Sequence, residues 1–65
     1  MALPSVGDVV RAHNDNGHQD GLVYEIDGFA FHMEIQEDSF TEDNIGENIA
    51  IDVRNTKWEL LYASG

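Results

Sequence analysis

The stretch that decides the fold runs from residue 24 to residue 53 and reads YEIDGFAFHMEIQEDSFTEDNIGENIAIDV. Asp27-Gly28 lies between two segments rich in apolar residues, which is typical of a type I′ β-hairpin turn. After this turn every second residue is apolar, namely Phe29, Phe31, Met33 and Ile35. Side chains of a strand point alternately to its two faces, so this pattern predicts a strand with one buried face.

Working outward from this hairpin, apolar alternation and turn residues divide the chain into five predicted strands. These strands cover residues 8–12, 21–26, 29–36, 48–53 and 57–62. Residues 13–20 are predicted to be a polar loop that turns at Asn16-Gly17. Between the third and fourth strands, Ser39-Phe40-Thr41-Glu42 matches a capping box, which predicts one short helical turn near residues 39–45.

Five short strands predict an all-β fold in which residues 1–65 form a single small domain. A five-stranded barrel is the economical arrangement, because closure protects the edge strands. Three segments resemble small SH3-like barrels: Val6-Gly7-Asp8-Val9-Val10-Arg11, Gly21-Leu22-Val23 and Trp58-Glu59-Leu60. The helical turn between strands three and four is more similar to an OB-fold, which remains the alternative architecture. The peptide-binding aromatic motifs of eukaryotic SH3 domains have no clear counterpart, and neither does the basic strand surface of nucleic-acid-binding OB-folds.

The charge balance limits the classes of partner. Thirteen carboxylates face only Arg11, Arg54 and Lys57, for a formal net charge of −10. Direct binding of nucleic acid or of an anionic membrane would oppose this charge, because phosphate groups require cations. The chain has no cysteine, and its first residues lack the basic and apolar regions of a signal peptide. A cytoplasmic protein is therefore expected.

Few residues suggest chemistry at a site. Two imidazoles and two carboxylates lie close together at His13, Asp15, His18 and Asp20, a set that could bind a divalent metal. The spacing does not fit an EF-hand, and a solvated turn without metal is the preferred interpretation. His32 is expected to be a surface histidine near a carboxylate. No nucleophile stands beside a base and no glycine loop could hold a phosphate, so neither an enzyme nor a cofactor is expected.

The acidic residues that follow the third strand are the best functional candidates. They are Glu34, Glu37, Asp38, Glu42, Asp43 and Glu47, without a lysine or arginine among them. Carboxylates held on a strand end and a capped turn could imitate the charge density of duplex DNA. This predicts a non-catalytic interaction module that binds a basic partner protein and inhibits a nucleic-acid-binding protein by mimicry. Small acidic barrels of this kind are similar to accessory or inhibitor proteins of bacteria and phages.

A structural role is the alternative hypothesis. Val9, Val23 and Leu61 are out of phase with their apolar neighbours, so they are the predicted candidates for an interface. Such an interface would make the protein a subunit of a larger complex or a self-associating barrel.

Overall fold

The computed structural model describes residues 2–64 as an all-β protein, as the alternation predicts. Its strands are β1 Val9–Asn14, β2 Gly17–Asp27, β3 Ala30–Asp38, β4 Asn48–Asp52 and β5 Trp58–Tyr62. One 3-10 turn, Glu42–Asn44, lies between β3 and β4, within the region predicted to be helical. Among the described residues, no helix is long and apolar enough to cross a membrane.

The five strands form one antiparallel sheet in the order β4-β3-β2-β1-β5. The rings of Phe31 in β3 and Trp58 in β5 nevertheless lie only 5.7 Å apart between centroids. In a flat sheet these strands would be separated by three spacings, about 14 Å. The sheet therefore curls around its own core. Pairing of β4 with β5 is not observed within residues 2–64, so full closure of the barrel remains a prediction.

One face of the curled sheet supplies the hydrophobic core. The buried cluster consists of Val10, Ala12, Val23, Phe31, Met33 and Ile51, with Ile49, Val53 and Trp58 packed against it. Ile35 is also buried, so three of the four predicted inward residues of the third strand face the core. Phe29, the fourth, is 57% exposed.

Phe29 is exposed because the hairpin turn lies one residue later than predicted. Asp27 pairs with Ala30, which leaves Gly28 and Phe29 as the two turn residues. Gly28 has φ +61, and no non-glycine residue described in the structure has a positive φ. A type I′ turn needs positive φ at both central residues, so that prediction is wrong. Glycine at the first position alone fits the φ signs of a type II′ turn.

The predicted polar loop at residues 13–20 is also wrong. β1 and β2 continue as a regular ladder as far as the pair Asn14 and Gly17, and the turn is reduced to two residues, 15 and 16. Polar cross-strand contacts replace apolar ones here: Arg11 forms two hydrogen bonds with Asp20, at 2.8 and 3.0 Å. These contacts join residues nine positions apart, and local composition does not reveal them.

The side chains of β2 that face the core also differ from the predicted ones. Val23 is 1% exposed and belongs to the core, so it cannot contribute to an interface as the assembly hypothesis predicted. Val9 and Leu61 are half-buried. Leu22 and Tyr24 instead project outward, and the register of β2 against β3 shifts between Val23 and Glu25. This β-bulge at Tyr24 places the side chain outside the regular ladder.

Gly21 in β2 lies against β3 with no room for a side chain. A Cβ atom at this position would lie 2.7 Å from Sδ of Met33 and 2.8 Å from the carbonyl oxygen of Glu34. We expect Gly21→Ala to lower the free energy of unfolding by about 1–3 kcal/mol, because the core cannot accept the methyl group without moving the backbone. Urea denaturation followed by circular dichroism measures this loss. An unchanged midpoint would contradict the close packing at Gly21.

Candidate functional site

The functional candidates emerge once carboxylates with structural roles are separated from the others. Asp8 is buried and accepts hydrogen bonds from the backbone N–H groups of Ser5 at 2.8 Å and Ser64 at 2.7 Å. These bonds, led by that from Ser5, hold the pKa of Asp8 below its ordinary value. Asp20 is buried against Arg11. Both carboxylates therefore serve the fold and are not available to a partner.

Asp38 also has a structural role, although it is among the six predicted site residues. Its Oδ2 accepts hydrogen bonds from the side-chain amides of Gln19 at 2.7 Å and Asn44 at 2.8 Å. Its Oδ1 accepts from the backbone N–H groups of Phe40 at 2.8 Å and Thr41 at 3.4 Å. These bonds, led by that from Gln19, lower the pKa of Asp38 to about 2. Asp38 thus fastens the connection after β3 to strand β2.

The cap of the 3-10 turn differs from the predicted capping box. Thr41, and not Ser39, is the N-cap residue, and its hydroxyl accepts a hydrogen bond from the backbone N–H of Asp43 at 3.2 Å. The Ser39 hydroxyl accepts from the backbone N–H of His18 at 2.8 Å. Ser39 therefore joins the connection to β2, and the shorter cap begins the turn two residues later.

Asp38→Asn is expected to weaken the acid sensitivity of the fold. The pKa of Asp38 is about 2 in the folded protein, below its ordinary value of 3.8. Its stabilising contribution is therefore complete above about pH 4 and is lost as the pH falls through about 2. We expect the variant to be less stable at pH 6 and to lose less stability than the parent between pH 4 and pH 2.

Urea denaturation at several pH values tests this expectation for Asp38. Asp15→Asn is the matched control, because the Asp15 side chain is exposed and accepts no hydrogen bond within residues 2–64. Its acid profile should follow that of the parent. Parallel acid profiles for Asp38→Asn and the parent would show that the contacts of Asp38 do not stabilise the fold.

Seven carboxylates form neither a hydrogen bond nor an ion pair through their side chains within residues 2–64. They are Asp15, Asp27, Glu34, Glu37, Glu42, Asp43 and Glu47. Five of the seven lie between residues 34 and 47, which we call the acidic segment. Most of the carboxylates without a side-chain partner within residues 2–64 thus belong to the acidic segment.

The acidic segment leaves the sheet on β3 and returns beside it on β4. Glu34 lies opposite Leu22 on one side and Asn48 on the other. Two backbone hydrogen bonds close the segment at Ile35. The Ile35 N–H donates to the backbone carbonyl oxygen of Glu47 at 2.9 Å, and the Ile35 carbonyl oxygen accepts from the backbone N–H of Gly46 at 2.8 Å. The two ends of the segment are therefore held beside one another. Gly46 enables this return with φ +90.

The two arginines of the described chain form their ion pairs elsewhere. Arg11 pairs with Asp20, and Arg54 pairs with Asp52 at 2.7 Å. The hydrogen bonds from Arg54 lower the pKa of Asp52 to about 2. Within residues 2–64, no lysine or arginine pairs with the acidic segment. Arg11 attracts Glu37 electrostatically without forming an ion pair with it, so most but not all of the segment's negative charge is left uncompensated by the protein itself.

The residues considered for a metal do not form one site. The rings of His13 and His18 are 6.3 Å apart between centroids, but His13 contacts Glu59 at 3.2 Å and Asp20 is bound to Arg11.

A different trio converges on the neighbouring hairpin. It consists of Glu25, Asp27 and His32, whose potential ligand atoms lie within 4.8 Å of one another. Sequence reasoning missed this trio because it depends on the pairing of Glu25 with His32 beyond the bulge. Both carboxylates are exposed, and we assign no metal to the trio.

The chain has no match among protein-family models, curated proteins or solved structures. Its resemblance to SH3-like barrels, with the OB-fold as the alternative, therefore remains a prediction from the residues. The chemistry of its own surface supports the proposal that follows.

Proposed function

We propose that the protein is a non-catalytic interaction module whose acidic segment binds a basic partner protein. The supporting observation is that five carboxylates whose side chains form no hydrogen bond or ion pair within residues 2–64 lie on β3 and on the connection from β3 to β4. A surface of this kind attracts cationic partners and accelerates their association. It repels nucleic acids and anionic membranes, so the proposed partner is a protein.

The backbone of the acidic segment favours binding because hydrogen bonds hold it in place before a partner binds. Asp38 fastens the beginning of the connection through four hydrogen bonds, and Ile35 closes its end with two more. A preorganised surface loses less conformational entropy on association than a flexible tail of the same charge. The segment thus presents its carboxylates from a backbone that hydrogen bonds hold in place.

The charge density supports mimicry of nucleic acid as the mode of action. A net charge of −10 spread along the longest dimension of 28 Å corresponds to about one charge per 2.8 Å. Duplex DNA carries about one charge per 1.7 Å of its axis. The charge density of the whole molecule is of similar order to that of DNA, and residues 34–47 contribute six of its thirteen carboxylates. A protein that binds DNA through lysine and arginine is therefore expected to accept this surface instead. An inhibitor or accessory protein of a phage or bacterium, acting in the cytoplasm, fits this proposal.

Affinity capture from a bacterial lysate tests the proposed function. At low salt, the immobilised protein should retain basic nucleic-acid-binding proteins, and soluble duplex DNA should release them. The release is expected because DNA and the acidic segment compete for the same cationic surface, and higher salt should weaken the capture steeply. Retention of only neutral or acidic proteins, or retention that DNA does not affect, would contradict the proposal.

A second candidate function is that of an assembly subunit. The observation that favours it is the exposure of large apolar side chains on β2 and its turn, namely Leu22, Tyr24, Ile26 and Phe29. The two sheet edges, β4 and β5, could also pair with another chain. Sedimentation at increasing protein concentration separates the candidates, since a defined oligomer supports assembly and a monomer supports the interaction module.

A further inference from the structure

A hollow on the outer face of the sheet adjoins the acidic segment. Its volume is about 300 Å³, and it is lined by Leu22 and Tyr24 of β2, Glu34 of β3 and Asn48 of β4. Leu22, Glu34 and Asn48 form one row across three strands, because Glu34 pairs with both of the others. The floor of the hollow is therefore made by regular strands and does not depend on a loop.

The β-bulge places an aromatic side chain beside this row. Tyr24 lies outside the regular register of β2 and β3, and its ring approaches that of His32 to 6.1 Å between centroids. The Tyr24 side chain is nevertheless 46% exposed. One wall of the hollow is thus an aromatic surface that remains accessible to another molecule.

The four lining residues combine three chemical features. Leu22 and Tyr24 offer apolar and aromatic surface, Asn48 offers an amide, and Glu34 offers a carboxylate. Within residues 2–64, the Glu34 side chain forms no ion pair. A guest must therefore carry an apolar stem and a cationic head, and an acidic guest would be repelled by Glu34.

From this charge complementarity we infer that the hollow accepts one arginine side chain of the basic partner. The inference rests on the proposed function and names the side chain that the partner inserts. Arginine suits the hollow better than lysine, because a planar guanidinium can stack on an aromatic ring and donate two hydrogen bonds to one carboxylate. Its aliphatic stem would cover Leu22.

The same arrangement already occurs within the protein. The guanidinium of Arg54 lies 4.8 Å from the centroid of the Phe29 ring and donates hydrogen bonds to Asp52 at 3.1 and 2.7 Å. Here one arginine is held by an aromatic ring and a carboxylate from neighbouring parts of the sheet. Tyr24 and Glu34 offer the corresponding pair of groups, but without an arginine from the chain itself.

Titration of ¹⁵N-labelled protein with N-acetyl-argininamide tests the hollow directly. We expect saturable amide shifts at Leu22, Tyr24, Glu34 and Asn48, with a dissociation constant on the order of millimolar for so small a probe. N-acetyl-citrullinamide has nearly the same shape without the charge and should cause no such shifts. Equal responses to the two probes, or shifts located away from the hollow, would overturn the inference.

Three variants sharpen the test. Glu34→Gln and Tyr24→Leu should each weaken argininamide binding about two- to fivefold, since each removes one exposed charge or cation–π contact. Both side chains are exposed, so the fold should be retained, as the remaining amide signals would show. The matched variant Asp15→Asn removes one charge from an exposed side chain outside the acidic segment and should leave argininamide binding unchanged.

The variants also separate this inference from the proposed function. Equal weakening by Asp15→Asn and by Glu34→Gln would overturn the hollow as an arginine site, because binding would then follow total charge alone. Capture of basic proteins by the acidic segment would still support the proposed function in that case. Argininamide binding in the hollow without capture of any basic protein would support the hollow and contradict the proposed function.

Discussion

Phe31→Ala is expected to lower the free energy of unfolding by about 3–5 kcal/mol, the usual cost of removing a buried phenylalanine. Phe31 has no exposed surface and lies in the core cluster, with its ring against Trp58 at 5.7 Å. Domains of 65 residues have a total stability of roughly 3–10 kcal/mol. The variant should therefore lose between about 30% of its stability and all of it, and it should melt well below the parent.

Phe29→Ala is the matched control for this prediction. The chemical change is the same, but Phe29 is 57% exposed at the hairpin turn and contacts Arg54 rather than the core. We expect it to cost at most about 1 kcal/mol, the value of an exposed cation–π contact. Urea denaturation of both variants measures the difference. Similar losses would contradict the assignment of Phe31 to the core and of Phe29 to the surface.

Neutralising four carboxylates of the acidic segment is expected to weaken binding of the basic partner about 100-fold. The variant is E34Q/E42Q/D43N/E47Q, and it leaves Asp38 and its hydrogen bonds intact. Each exposed charge pair contributes up to about 1 kcal/mol, and a total near 3 kcal/mol corresponds to two orders of magnitude in the dissociation constant. Isothermal titration with the captured partner measures the loss.

The control variant neutralises the same number of carboxylates outside the segment, D15N/E25Q/D27N/E59Q. Both variants change the net charge by the same amount, so any effect of total charge is identical in the two. We expect the control variant to weaken binding only a fewfold. Equal losses in the two variants would show that the partner responds to overall charge and that the acidic segment has no special role.

The sequence pattern predicts the core better than the connections. Alternation in the third strand correctly places Phe31, Met33 and Ile35 inside, because burial of apolar surface dominates that choice. The turn is predicted at Asp27-Gly28 but lies at Gly28-Phe29. Both dipeptides contain the glycine that a tight turn needs, and the pairing of Asp27 with Ala30 decides between them. The polar residues 13–20 look like a loop because cross-strand contacts such as Arg11 with Asp20 are not local in the chain.

The candidate site, too, is predicted in part by local sequence and depends in part on contacts between distant residues. A run of acids without cations is visible in the sequence, and the acidic segment follows from it. Sequence cannot separate Asp38 from its neighbours, since its partner Gln19 reaches it only through the pairing of β2 with β3, and Asn44 reaches it only through the fold of the connection. The hollow at Glu34 likewise combines residues from three strands and depends on a bulge at Tyr24.

The most direct test of the central claim is to map the surface of ¹⁵N-labelled protein that the captured basic partner covers. We predict amide shifts and line broadening concentrated in the acidic segment, residues 34–47, and in the adjoining hollow at Leu22 and Tyr24. Signals of the turn at residues 15 and 16 should remain unchanged, although Asp15 is also an unbonded carboxylate. Perturbations confined to that turn or to β5, with the acidic segment unaffected, would contradict the account.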